Sequence, residues 1–222
     1  MDILTKTELE DWLSDLQNII LDVEINISNI HILINQKNKF TTEVFDFGFY
    51  DCYVSQSYFI CVIQLSKLFS NSSNQKKSFH KLFNKLENFK YDKPLLELLD
   101  NNRGEEDLFS DLEKIKKYIS IQRQEILVNE DVIKKIELRR DKVYAHSDLK
   151  PKSNFIQPEK LKDIEKLKTT AVNIYNSIIS GFYDKCFLFD SSKNSWSIQP
   201  IIDISLEWEE MKEKKMIETK MS

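Results

Sequence analysis

Three glycines and four prolines are all the backbone punctuation in this chain of 222 residues. Average usage of the two together is about 12 per cent. Folds that reverse direction every ten residues or so need them at their turns. Sandwiches and barrels are therefore disfavoured. So are glycine-rich phosphate loops, because Gly48, Gly104 and Gly181 stand alone, outside any Walker or G-x-G-x-x-G pattern. Helix is what remains. With 41% apolar and 31% charged residues, the chain has enough hydrophobic material for a core and too much charge for an integral membrane protein. Its length suits one large domain, with or without an appendage.

The longest uninterrupted apolar stretch, Tyr58 to Ile63, is far short of the roughly 20 residues that a membrane span needs. The opening Met1-Asp2-Ile3-Leu4 leads straight into Glu8, Glu10 and Asp11, unlike a secretory leader. Cys52, Cys61 and Cys186 form no C-x-x-C pair, and an odd count cannot close into a full disulfide framework. Free thiols and a cytoplasmic location are expected.

Apolar residues recur at helical spacing from Thr5 to Gln36, with Thr5–Glu8 or Thr7–Glu10 as a capping box at the start. A second helix is expected over Thr42 to Phe69, where Phe45, Phe49, Cys52, Phe59 and Ile63 fall near one stripe and read as bundle core. A dimer surface is the other reading of that stripe. A shorter helix over Ser78 to Asn88 follows, then a turn or two from Pro94 to the Asn101–Gly104 break. The pattern is helical again from Glu105 to His146, with a bend near Asn129. After a loop at Lys150–Asn154, a last long helix begins near Pro158 and carries Leu161, Ile164, Leu167, Ala171, Ile174, Tyr175, Ile178 and Phe182 inward. Ser191–Pro200 reads as loop and Ile204–Thr219 as a charged amphipathic helix.

The net charge of −4 hides a segregation. Residues 76–93 carry six lysines against two acids, and residues 134–152 seven basic side chains against three acids, whereas residues 2–24 and 97–113 are each strongly acidic. Either these faces pair with one another, or a basic surface is kept for a polyanion.

The three histidines form no H-x-x-x-H or H-E-x-x-H pair and lie far in sequence from the cysteines, so neither a metal site nor a cofactor is expected. His31, between Ile30 and Ile32, reads as a structural imidazole, and His80 as solvated surface. One stretch carries chemistry: Leu138-Arg139-Arg140-Asp141-Lys142-Val143-Tyr144-Ala145-His146-Ser147-Asp148. Arginine is a permanently charged phosphate fork, and histidine has an unperturbed pKa near neutrality. Together they suffice for phosphodiester cleavage without a metal.

Arg140-Asp141 followed by His146 resembles the motif of the HEPN superfamily: an arginine, then a polar residue, with four to six residues between the arginine and the histidine. The Ala-His-x-Asp close at Ala145–Asp148 is most similar to the abortive-infection U branch. The order of helices over about residues 5 to 190 resembles that family too. The resemblance implies an all-α antiparallel bundle of about five main helices over residues 1–190, with 191–222 as a C-terminal extension. It further implies a symmetric homodimer that brings two motifs together. The activity implied is that of a metal-independent endoribonuclease acting as a toxin or antiphage effector, sometimes beside a nucleotidyltransferase-like antitoxin. The alternative is a catalytically idle module that binds RNA, a nucleotide or a partner protein. Arg140, Asp141 and His146 carry over as catalytic positions and Asp148 as the closing acid; Arg139 and Tyr144 do not match motif positions and are candidate supporting residues by their place beside it, Tyr144 preceding the histidine where some relatives have a tyrosine after it. Lys142, Lys150 and Lys152 are the expected RNA-binding lysines.

The spacing poses a conflict. At about 100° per residue, Arg140 and His146 point about 120° apart on a regular helix, whereas Arg139 comes within about 20° of His146. Either the helix unwinds before His146, or the arginine meets the histidine of a second copy, or Arg139 is the working residue.

Overall fold

The computed structural model describes residues 2–36, 49–106, 108–144, 160–189 and 197–221. Helix α1 spans Lys6–Gln36 and α2 spans Phe49–Phe69. Three shorter-to-medium helices follow: α3 over Phe79–Asn88, α4 over Lys93–Asn101 and α5 over Leu112–Val128. Helix α6 covers Glu130–Arg139 and runs directly into a π-helical segment, Arg140–Tyr144. Helix α7 covers Leu161–Tyr183 and α8 covers Gln199–Met221. The all-α expectation holds. Phe45, Phe47, the Lys150–Asn154 loop, the Pro158 start and Ser191–Trp196 lie outside the described residues.

Two long helices flank α1, both antiparallel to it. The Cys61 thiol donates to the Val23 carbonyl and the Gln64 amide to Asp22, which fixes α2 alongside. On the other side the Tyr175 hydroxyl donates to Gln17, and Lys168 pairs with Glu24 at 2.9 Å, which fixes α7. Leu9, Leu16, Ile20 and Val23 of α1, Leu65 and Leu68 of α2, and Ile164, Ile174 and Ile178 of α7 are fully or almost fully buried in one shared core. Burying each such side chain is worth about 1.5–3 kcal/mol, which makes this three-helix seam the main source of stability.

The aromatic stripe expected for the core of α2 is not the buried one. Cys52 is exposed and Phe59 is 39% exposed. The face turned inward carries Ser57, Cys61, Val62, Leu65, Leu68 and Phe69 instead. The physical reason is that the seam with α1 is set by the aliphatic residues at its middle, and that register turns the aromatic stripe away.

Local signals explain the element ends. Thr5 accepts the Glu8 N–H at 3.1 Å, so the first of the two expected capping boxes is the one used. Asp92 caps α4 through the Leu95 N–H and accepts the Lys6 N–H as well, joining two helix starts with one carboxylate. Beside it lies an unexpected pair of two-residue parallel strands, Ile3–Leu4 against Lys90–Tyr91. Helix α5 begins at Leu112 rather than Glu105, because Asp111 supplies its cap by accepting the Lys114 N–H. The segment before it is pinned to the end of α7. Asn102 donates to the carbonyls of Phe109 and Phe182, and the Phe109 N–H donates to Gly181. A Cβ on Gly181 would lie 2.4 Å from the Phe109 ring, so this glycine permits the approach.

Part of the charge segregation resolves into pairing. Lys77 meets Asp15 at 2.6 Å and Lys85 meets Glu8 at 2.8 Å, so two of the six lysines of the 76–93 stretch are spent against the acidic start of α1. Glu87 of the same stretch meets Arg123 of α5 at 2.7 Å.

Candidate functional site

Arg140 opens the π-helical segment at the end of α6, which packs against α2. A π-turn closes i→i+5 rings in place of i→i+4 and occurs mostly as a single turn within a helix, frequently where a side chain must be re-aimed. Each residue here therefore turns through less than the roughly 100° of an α-helix. The premise that brought Arg139 under His146, a regular helix from 139 onward, does not hold over 140–144. The three options that the spacing left open all turn on His146, which lies outside the described residues.

The Nε–H of Arg140 donates to Oδ1 of Asp141 at 2.7 Å. The Arg140 side chain is 27% exposed and that of Asp141 54%. The bond raises the already high pKa of Arg140 further, so its charge is permanent. Among the described residues no other hydrogen bond or ion pair engages Arg140, so the bond to Asp141 leaves both terminal amino groups of the guanidinium unengaged by them. These amino groups form the edge that grips a phosphate in bidentate fashion.

Glu137, one turn earlier, belongs to the same group and was not singled out from the sequence. Burial pushes its pKa up, Arg140 pulls it down, and Asp141 pushes it up again. Its i, i+3 spacing to Arg140 was the available signal. Arg139 is half-buried as the last residue of α6. Lys142 is exposed and makes no ion pair with a described residue, whereas Lys134 is tied to Glu130 at 2.9 Å. Tyr144 closes the π segment in backbone terms. His146, Asp148, Lys150 and Lys152 lie outside the described residues.

His31 has the structural role expected of it, though at the surface: its side chain is 48% exposed and bonds to Glu165 at 2.6 Å, which joins α1 to α7. His80 is not simply solvated. It is half-buried, and desolvation, then the nearby Arg123 charge, lower its pKa. No group of three potential metal ligands occurs among the described residues, and no described helix is long and apolar enough to cross a membrane.

No curated protein and no solved structure matches the chain. A family model does match, the one described as AbiU2 among the HEPN families, and it covers residues 6–200, from the first residue of α1 to the first turn of α8. The match spans well over half of the chain, and the chain belongs to the AbiU2 family of HEPN proteins.

Proposed function

We propose that this protein is a metal-independent endoribonuclease that acts as a toxin or antiphage effector. The observation that carries the reading is the Arg140–Asp141 bond, which engages the guanidinium through Nε and so leaves its two terminal amino groups to take an anion. Asp141 is in this view a positioning residue. Arg140 neutralises the charge that builds on the phosphoryl oxygens in the transition state, and His146 handles protons.

The chemistry follows from those two groups. His146 removes the proton of a ribose 2′-hydroxyl, the 2′-oxygen bonds to phosphorus, and the 5′-oxygen leaves with a proton from an imidazolium. The products are a 2′,3′-cyclic phosphate and a 5′-hydroxyl. The motif holds one histidine per chain, which makes a pair of motifs from two copies the natural arrangement, with one imidazole as base and the other as acid. Lys142 and the lysines at 150 and 152 add phosphate contacts along the strand, which makes binding salt-dependent.

The test is cleavage of a labelled RNA in excess EDTA beside a DNA of the same sequence, together with growth of cells expressing the protein. The reading predicts RNA cutting that resists the chelator, intact DNA, and a growth defect that His146→Ala removes. Loss of activity on chelation, or equal cutting of DNA, contradicts it. A nucleotidyltransferase-like antitoxin is the partner this reading implies, detectable as relief of the growth defect on co-expression.

A further inference from the structure

Helix α8 carries two apolar faces, and the body of the protein uses one. Ile198, just before the helix, and Ile202 are nearly fully buried with Leu33, and Tyr53, Val54 and Leu206 pack around them. Asn29, only 2% exposed, fixes this junction: its carbonyl accepts the Ile198 N–H at 3.0 Å and its amide donates to the Tyr53 hydroxyl at 3.2 Å. The other face is open. Ile201, Ile204, Trp208 and Met211 are 60%, 67%, 56% and 51% exposed. At about 100° per residue these four fall within a stripe about 80° wide, centred well over 90° from the docked face.

A helix that is apolar on two sides normally covers both. The exposed four are spaced three, four and three residues apart, the a/d spacing of a coiled-coil seam, which Lys215 and Glu218 continue. The charges identify the occupant. Residues 203–210 contain four acids and no base, whereas residues 211–220 contain four lysines and two acids. Side by side in the same direction, two copies would set acid on acid and Lys215 on Lys215. Reversed, the acidic half of each lies on the basic half of the other.

We propose that α8 is an interface for a second copy of this chain, paired antiparallel through the Ile201, Ile204, Trp208 and Met211 stripe. The a-to-d layering of such a pair sets Trp208 against Met211 of the other copy twice, with the sulfur against the indole. Ile204 meets the aliphatic stem of Lys215, whose ammonium reaches water. Glu207 and Lys214, both at flanking g positions, then face each other across the seam twice. The interface lies in a helix of which only the first two residues are within the family match, and it stands whether or not the Arg140 site cuts RNA.

The test is sedimentation equilibrium of the full chain, with circular dichroism to confirm that each variant keeps its helix content. Trp208→Glu is expected to lower the weight-average mass at micromolar concentration. Glu207→Lys and Lys214→Glu should each weaken association by about tenfold, as two repulsive pairs replace two attractive ones. The double swap should restore it. A wild-type chain that is monomeric at 100 micromolar (about that concentration being ample for a pair of this size) overturns the proposal. So does a mass that Trp208→Glu leaves unchanged. If the single charge reversals weaken association and the double swap fails to restore it, the antiparallel second copy is not the occupant.

Discussion

Arg140 and Asp141 are sequence neighbours joined by a 2.7 Å bond that engages the guanidinium through Nε and leaves its terminal amino groups to other partners. Adjacent residues on an α-helix do not face each other. The wider π-turn narrows the angle between them, and the acid after the arginine acquires a physical role as the group that aims it. Asp141→Asn should keep RNA affinity within about threefold and lower single-turnover cleavage about tenfold, since a neutral amide aims the fork less firmly. Asp141→Glu should recover part of the rate. A merely structural role would change stability and leave the split between affinity and rate unmoved.

Gly181→Ala is expected to destabilise the protein by about 1–3 kcal/mol, the usual penalty for overpacking a filled site. Its new Cβ meets the Phe109 ring, not a flexible side-chain end. Phe109→Leu should partly rescue it, and urea unfolding of the two single variants and the double variant reads the coupling.

Asn29→Ala leaves the buried Ile198 N–H without its acceptor, which costs about 1–3 kcal/mol. The loss should be local. Hydrogen exchange ought to speed up across Gln199–Met221 while the seam of α1, α2 and α7 stays protected. Uniform loss of protection would show that α8 is part of the main cooperative unit.

His80 makes stability fall with acid. Its pKa is lowered in the folded chain by burial first and by Arg123 second, so between that lowered value and about 6.5 the unfolded chain binds more protons. Stability is full above that window and is lost as pH falls through it. His80→Gln should flatten the dependence of melting temperature on pH between 7.5 and 5, and an unchanged slope would contradict the assignment.

Much of this molecule was legible in its sequence where one physical rule acts alone. The scarcity of glycine and proline pointed to helices, aliphatic periodicity located α1 and α7, and the hydroxyl at Thr5 marked a helix start. Rules in competition were less readable. The stripe through Cys52 and Phe59 obeys the same periodicity as the true buried face of α2, and only packing against α1 decides between them. The two-residue strands at Ile3 and Lys90 are too short to leave a pattern. At the site, Arg140 and Asp141 were visible as a motif, but the π-turn that relates them depends on how the end of α6 meets α2. Glu137 was passed over because its i, i+3 spacing to Arg140 is one of many such acid–base spacings in a charged helix. The ion pairs of Lys77 and Lys85 show why a locally basic stretch is weak evidence for a polyanion: the acids that neutralise it lie more than 60 residues away in the sequence.

In the proposed reaction Arg140, not Arg139, serves the reacting phosphate, and single-turnover cleavage of RNA at saturating enzyme separates the two. Arg140→Ala should lower the rate about 10²-fold or more with the fold intact, whereas Arg139→Ala should mainly weaken binding and reduce its salt dependence. A rate abolished by Arg139→Ala and kept by Arg140→Ala would move the role to Arg139 and overturn the assignment.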